Sequence, residues 1–92
     1  MIPKKISRAQ LLEAGKIIDR EGVPKRRGSR RYNVIVDGRQ YPPKYLINIA
    51  AKLATGKELD HLTYNGGKEA NEFLRTRGFS IMDKTGKIIS SP

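Results

Sequence analysis

One segment constrains the fold of this chain more than any other. It is the stretch from 41 to 52, Tyr-Pro-Pro-Lys-Tyr-Leu-Ile-Asn-Ile-Ala-Ala-Lys. Pro42 holds Tyr41 extended, and Pro43 suits the first turn of a helix because its missing N–H would have no helical partner there. The polar residues that follow fall on one side of the helix at about 100° per residue: Lys44, Asn48, Lys52 and Thr55. A helix this apolar belongs in a core, so this polar side is either a solvated stripe or a surface that meets an anion.

The charge balance favours a polyanionic partner. The 92 residues include 19 Lys+Arg and 9 Asp+Glu, which gives a net charge of +10. Self-repulsion of that size destabilises a compact state, so nucleic acid is the first candidate partner and an anionic membrane surface is the second. A lipid-binding chain needs a basic helix with an apolar face open to the bilayer, whereas the apolar faces here are needed for the core. We therefore expect no membrane partner.

The length of the chain and its residue types limit the number of domains and the classes of function that it can have. Ninety-two residues support one small core, so we expect a single domain over residues 1–89, with 90–92 as the start of a linker or tail. The first residues lack the apolar core of a signal peptide and no apolar run approaches a bilayer span, so we expect a cytoplasmic protein. There is no cysteine, and His61 is the single histidine. Because no paired acids, nucleophile or metal-ligand cluster can be recognised, we expect no metal, no cofactor and no enzymatic activity.

Periodicity and end signals predict an α+β fold, in which three helices pack on a small antiparallel sheet in the order α-β-β-α-α-β. Ser7 and Gln10 form a capping-box pattern at the first helix, and Asp37-Gly38 is a strong hairpin turn. The predicted elements are a helix from Ser7 to about Glu21, strands at 32–36 and 39–41, the apolar helix to Thr55, a helix from Glu69 to about Arg77, and a strand at 79–83. Ile88-Ile89 can add a short final strand.

Residues 24–31, Pro-Lys-Arg-Arg-Gly-Ser-Arg-Arg, form a basic loop that contains five cations and no acid. Arginine forks suit phosphate oxygens or the edge of guanine, although a solvated loop tip is the alternative. The predicted hairpin brings Arg30 and Arg31 to the end where Lys44 starts the apolar helix. A helix amino terminus, a lysine and nearby arginines together can seat a phosphate.

The segment Tyr64-Asn-Gly-Gly-Lys68 precedes the third helix. Consecutive glycines before a helix expose backbone N–H groups, so Gly66 and Gly67 either form an anion-binding nest or simply start the helix. The strand, the glycine spacing and the hydroxyl of a P-loop are missing. Tyr41, Tyr45 and Tyr64 are available to stack on bases.

These residues resemble a known family. Three sets of residues carry the resemblance: the run Arg-Gly-Ser-Arg-Arg-Tyr-Asn-Val-Ile-Val-Asp-Gly-Arg-Gln-Tyr-Pro-Pro-Lys at 27–44, the Tyr-Asn-Gly-Gly at 64–67, and Asn71, Leu74, Gly78, Phe79 and Ile81. Together they are similar to the N-terminal head domain of modification-dependent (type IV) HNH restriction endonucleases. The resemblance covers about Ser7 to Met82. It implies an α/β accessory domain that binds DNA without catalytic residues of its own, fused to a nuclease or ATPase module in the full-length protein. The nuclease motif of the full-length family is absent from this sequence.

We therefore expect a domain that binds duplex DNA mainly through its phosphates. The candidate nucleic-acid-binding residues are Arg26, Arg27, Arg30, Arg31, Arg39, Lys44, Asn48, Lys52, Gly66, Gly67 and Lys68. The alternative function is a protein-interaction or assembly module that docks the fused nuclease or ATPase or a second copy, with an apolar patch around Leu59, Leu62 and Tyr64. Single-stranded RNA is a further possible ligand, and the sequence leaves the base modification, the sequence preference and the oligomeric state open.

Overall fold

The computed structural model describes residues 2–29, 31–60, 64 and 67–92. Within these residues the chain forms three helices and a four-stranded antiparallel sheet. The elements are α1 (Arg8–Glu21), β1 (Tyr32–Val36), β2 (Arg39–Tyr41), α2 (Pro43–Thr55), α3 (Lys68–Thr76), β3 (Ser80–Asp83) and β4 (Ile88–Ser90). The predicted α+β class and element order are confirmed, and the optional final strand forms. Ser90, which we expected to begin the tail, is the last residue of β4 and pairs with Ile81.

The sheet has the strand order β2-β1-β3-β4, with all neighbours antiparallel. β1 and β2 are joined at Asp37 (φ 50°) and Gly38 (φ 78°), where two consecutive positive φ angles give the turn that matches the twist of a hairpin. Val34 lies opposite Tyr41 on one side and opposite Ile81 on the other. These three side chains are buried, so this face of the sheet lies against the helices.

Helix α1 begins as the sequence predicts. The Ser7 hydroxyl accepts a hydrogen bond from the Gln10 N–H, and the Gln10 side chain accepts one from the Ser7 N–H, which satisfies two backbone donors at the helix start. The helix packs against α2. Near the other end of α1, Asp19 accepts a hydrogen bond from the Tyr41 hydroxyl at 2.8 Å and pairs with Arg39 at 2.9 Å. These contacts fix β2 to α1.

Helix α2 is the centre of the core. It starts at Pro43, directly after Pro42 in extended conformation, and ends at Gly56 in the left-handed conformation. Its buried residues are Pro43, Leu46, Ile47, Asn48, Ala50 and Ala51. Asn48 differs from these other buried residues because its side chain is polar, and a carboxamide within an apolar core needs a hydrogen-bond partner.

Helix α3 ends in a Schellman motif. The Gly78 N–H donates to the Arg75 carbonyl at 3.0 Å and the Phe79 N–H donates to the Leu74 carbonyl at 3.1 Å, as the Gly-Phe pair predicts. Arg77 then ties the amino-terminal segment to the end of α3, since its guanidinium donates to the carbonyl oxygens of Lys4 and Ile6. Of the helices that the structure describes, none combines the length and apolar character that crossing a membrane requires.

Candidate nucleic-acid interface

Four separate segments border one open cleft of about 550 Å³, which we call the cationic cleft. They are the basic loop, the start of β1, the start of α2 and the start of α3. The lining residues are Arg27, Gly28, Ser29, Arg31, Tyr32, Pro42, Pro43, Lys44, Gly67 and Lys68. Four of these are cations, whereas no acidic residue is among them.

The hairpin explains why Arg31 and Lys44 meet. Val34 pairs with Tyr41, so the residues that precede β1 run alongside those that follow β2. Arg31 and Lys44 consequently line the same cleft, as the connectivity predicts. The Ser29 hydroxyl accepts a hydrogen bond from the Tyr32 N–H at 3.1 Å, which fixes the end of the basic loop against β1. Arg30 lies outside the described residues.

Two helix amino termini face the cationic cleft. Pro42, Pro43 and Lys44 form the start of α2, and Gly67 and Lys68 form the start of α3. In the described part of the chain, the residues that precede these helices, Pro42 and Gly67, donate no side-chain cap to them. The positive ends of both helix dipoles therefore add to the side-chain charges at this place. Gly67 directly precedes α3 and lines the cleft, while Gly66 is outside the described residues, so the glycine nest stays a prediction.

A second groove of about 560 Å³ adjoins the cationic cleft. Arg27, Gly28 and Lys44 line both, so the two depressions share one border. The residues that line only the second groove are Arg26, Tyr45 and Asn48. Arg26 thus lines a groove that shares a border with the cleft lined by Arg31 and Lys68.

Lys44 contacts the ring of Tyr64. Its Nζ lies 4.7 Å from the centroid of the Tyr64 ring, a distance typical of a cation–π contact. The Tyr64 hydroxyl lies 2.5 Å from the Asn48 Oδ1, to which it donates, and 3.0 Å from the Lys44 carbonyl oxygen. Burial raises the pKa of Tyr64 well above the ordinary tyrosine value, so this hydroxyl keeps its proton at neutral pH.

The same contact changes the expectation for Asn48. Its side chain is 1% exposed and its oxygen accepts from Tyr64, so Asn48 lies beneath the second groove with almost no area open to a ligand. The physical reason is the cover that Tyr64 supplies from a segment 16 residues away in sequence. Asn48 is a support for Tyr64 and Lys44, and the polar side of α2 that reaches the surface is shorter than the sequence indicates.

Arg27 is held by two neighbours at the border of the two depressions. Its Nη2 donates to the Glu58 Oε1 at 3.0 Å, and its guanidinium carbon lies 4.9 Å from the centroid of the Tyr45 ring. Both side chains of the ion pair remain accessible, at 35% for Arg27 and 38% for Glu58. A pair this exposed is screened by water and contributes little to stability.

Two of the candidate residues lie apart from the cleft and the groove. Arg39 pairs with Asp19 of α1 and lines neither depression. Lys52 is exposed two turns further along α2 and lines neither. Tyr41 and Tyr64, which the sequence offered for stacking, are 5% and 6% exposed, and Tyr45 alone of the three keeps partial exposure.

Sequence reasoning missed the roles of Tyr64 and Glu58. From the sequence, Tyr64 is expected to stack on bases or to join an apolar docking patch, and no role is expected for Glu58. A signal for Tyr64 existed in the sequence, because a buried Asn48 requires a donor or acceptor from another segment. No comparable local signal marks Glu58, since its partner is 31 residues away.

The family described as ScoMcrA-like, N-terminal head domain, matches residues 4–83. This match spans most of the chain, so the chain belongs to that family, and the resemblance inferred from the sequence is confirmed. The family points to a restriction-related head domain, part of a restriction-type nuclease. Comparisons with curated proteins and with solved structures gave no match.

Proposed function

We propose that this domain is a non-catalytic DNA-binding accessory domain of a restriction or defence nuclease, and that the cationic cleft contacts the phosphates of duplex DNA. The observation that carries the proposal is the convergence of four cations, Arg27, Arg31, Lys44 and Lys68, on one cleft from three segments of the chain: the basic loop, the start of α2 and the start of α3. Cations that are distributed only for solubility have no reason to converge in this way.

The chemistry of the cleft suits a phosphate better than a base. The arginine forks can bind two phosphate oxygens each, the lysines act as point charges, and the backbone N–H groups at two helix starts are further donors. Each of these groups recognises negative charge without reading a sequence. The proposed contacts therefore hold and orient DNA, and any sequence or modification would be read by other modules of the full-length protein.

The other candidates differ in their expected contribution. Arg26 extends the surface through the second groove, and Arg30 keeps its predicted role in the basic loop. Arg39 and Lys52 contribute only long-range attraction, because neither lines the cleft or the groove. Single-stranded RNA is the competing ligand, since phosphate contacts alone do not distinguish it from DNA.

The assembly alternative has one observation in its favour. Ile88 and Ile89 on the edge strand β4 are 45% and 44% exposed, and an exposed edge can pair with another chain. The patch that this alternative predicted around Leu59, Leu62 and Tyr64 loses Tyr64, which is 6% exposed, while Leu62 lies outside the described residues. Docking to a fused nuclease or ATPase module through β4 is compatible with DNA binding at the cleft.

Salt titration of DNA binding tests the proposal. If about five phosphates are neutralised, the log-log slope of affinity against salt is near −4.5, and affinity falls by roughly 10² to 10³ between about 50 and 200 mM salt. The double variant Arg31→Gln/Lys44→Gln should lower the steepness by about 1.8, because two phosphate contacts are removed. A flat salt dependence for the wild type would remove the proposed mechanism.

The matched control removes the same charge elsewhere. Lys5 and Lys16 are exposed and line neither depression, so Lys5→Gln/Lys16→Gln should keep nearly the wild-type slope. If the two double variants lose affinity equally, the charge of the whole domain and not the cleft binds DNA. Matched duplex, modified duplex and single-stranded RNA probes in the same titration separate the ligands.

A further inference from the structure

We propose that Glu58 competes with nucleic-acid phosphate for Arg27, so that this carboxylate lowers the affinity of the cleft. The inference rests on the proposed function, because it assumes that the ligand is a phosphate chain. It starts from the position of Arg27, which lines both the cationic cleft and the second groove. An anion that follows the surface from one depression to the other passes this guanidinium.

The ion pair between Arg27 and Glu58 has the properties of a contact that can be exchanged. It is monodentate, since Nη2 is the guanidinium nitrogen that donates to Glu58 in the part of the chain that the structure describes. It is also open to water, with about a third of each side chain accessible. A phosphate can instead bind the fork through two nitrogens, which is the stronger geometry.

Tyr45 keeps Arg27 in place during such an exchange. The guanidinium lies 4.9 Å from the ring centroid, and this contact does not depend on Glu58. Arg27 therefore stays at the border of the two depressions when the carboxylate leaves. Binding of a phosphate to the fork breaks the ion pair, and the charge of the released carboxylate then repels the bound phosphate. Both effects oppose binding in the wild type and vanish when Glu58 is neutral.

Glu58→Gln is the direct test, with Glu21→Gln as the matched control. Glu21 also forms an exposed ion pair, with Arg20 at 3.2 Å, and lines neither depression. Both variants change the net charge by one, so their difference isolates the contact with Arg27. Binding of each 92-residue variant to duplex DNA is measured by fluorescence anisotropy across salt, and thermal unfolding verifies that each variant is folded.

We expect Glu58→Gln to bind duplex DNA about three- to fivefold more tightly than the wild type, the range that an exposed ion pair allows. Its salt dependence should be steeper by up to about 0.9, because the phosphate that Arg27 binds releases a counterion in both proteins, whereas the freed carboxylate of the wild type takes one up and the variant has no such carboxylate. Glu21→Gln should change affinity less than about twofold and keep the wild-type slope.

Two other outcomes would overturn the inference. If Glu58→Gln binds no more tightly than Glu21→Gln, or more weakly than the wild type, Glu58 positions Arg27 and does not compete with phosphate, and the inference is overturned while the proposed function stands. If the wild type shows no salt-dependent binding to DNA, the proposed function and this inference both fall.

Discussion

Replacing Tyr64 with phenylalanine removes one hydroxyl group and tests how the start of α2 is held. The hydroxyl donates to Asn48 Oδ1 at 2.5 Å, and Asn48 is 1% exposed, so water cannot replace the lost donor. A buried acceptor left without a partner costs about 2 kcal/mol, which in a domain of this size lowers the melting temperature by about 8–16 °C. The ring remains, so no cavity larger than the hydroxyl is created.

Thermal unfolding followed by circular dichroism measures this effect, and Tyr45→Phe is its control. The Tyr45 side chain is half-buried and its ring contacts Arg27, but its hydroxyl makes no hydrogen bond to the residues that the structure describes. We expect Tyr45→Phe to change the free energy of unfolding by less than about 0.5 kcal/mol. If Tyr64→Phe is as stable as Tyr45→Phe, the contact with Asn48 does not stabilise the fold.

A double-mutant cycle identifies the partner. In an Asn48→Ala background the hydroxyl of Tyr64 loses the acceptor at 2.5 Å and keeps the Lys44 carbonyl oxygen at 3.0 Å, so Tyr64→Phe should then cost less than in the wild type. Equal costs in the two backgrounds would show that Tyr64 acts through another group. Tyr64→Phe should also bind DNA more weakly, because the contact of its hydroxyl with the Lys44 carbonyl is lost while the ring beside the ammonium group remains.

Three further results are expected. Burial raises the pKa of Tyr64 above the ordinary value of 10.0, so its contribution to stability is complete below about pH 10 and is lost as the pH rises above that value. The difference in melting temperature between wild type and Tyr64→Phe should therefore stay constant up to about pH 9 and narrow above about pH 10, and a difference that stays constant there would contradict the burial of the hydroxyl. Gly78→Ala should lower the free energy of unfolding by about 1–2 kcal/mol in urea titrations, because φ is 91°, a backbone conformation that strains a residue with a Cβ; wild-type stability would mean that the end of α3 rearranges without cost. Arg39→Gln should weaken DNA binding less than Arg31→Gln at equal salt, since Arg39 pairs with Asp19 away from the cleft, and the reverse order would move the interface to β2.

The sequence predicts the elements of this fold well because their signals are local. The Ser7 and Gln10 capping box, the Asp37-Gly38 turn and the Gly78-Phe79 helix end each depend on residues within a few positions, and all three are confirmed. The family resemblance is confirmed for the same kind of reason, since its motifs are short runs. The proximity of Arg31 and Lys44 also follows from a local rule, because a two-residue turn fixes the register of the hairpin.

The parts of the site that could not be predicted depend on distant contacts. Asn48 is covered by Tyr64 from another segment, and no periodicity in α2 reports that cover. Arg27 meets Glu58 across 31 residues, and Arg39 meets Asp19 of α1. A pattern of charges in the sequence therefore gives the composition of a surface, while the carboxylates that neutralise individual cations become visible only in the folded chain.

The central claim is that DNA binds at the cationic cleft, and amide chemical shifts of the 92-residue chain titrated with a short duplex test it most directly. The account predicts that the largest shifts occur at Gly28, Ser29, Lys44, Gly67 and Lys68, which line the cleft. Shifts that are largest around Lys84 and Lys87, in the turn between β3 and β4, would contradict it.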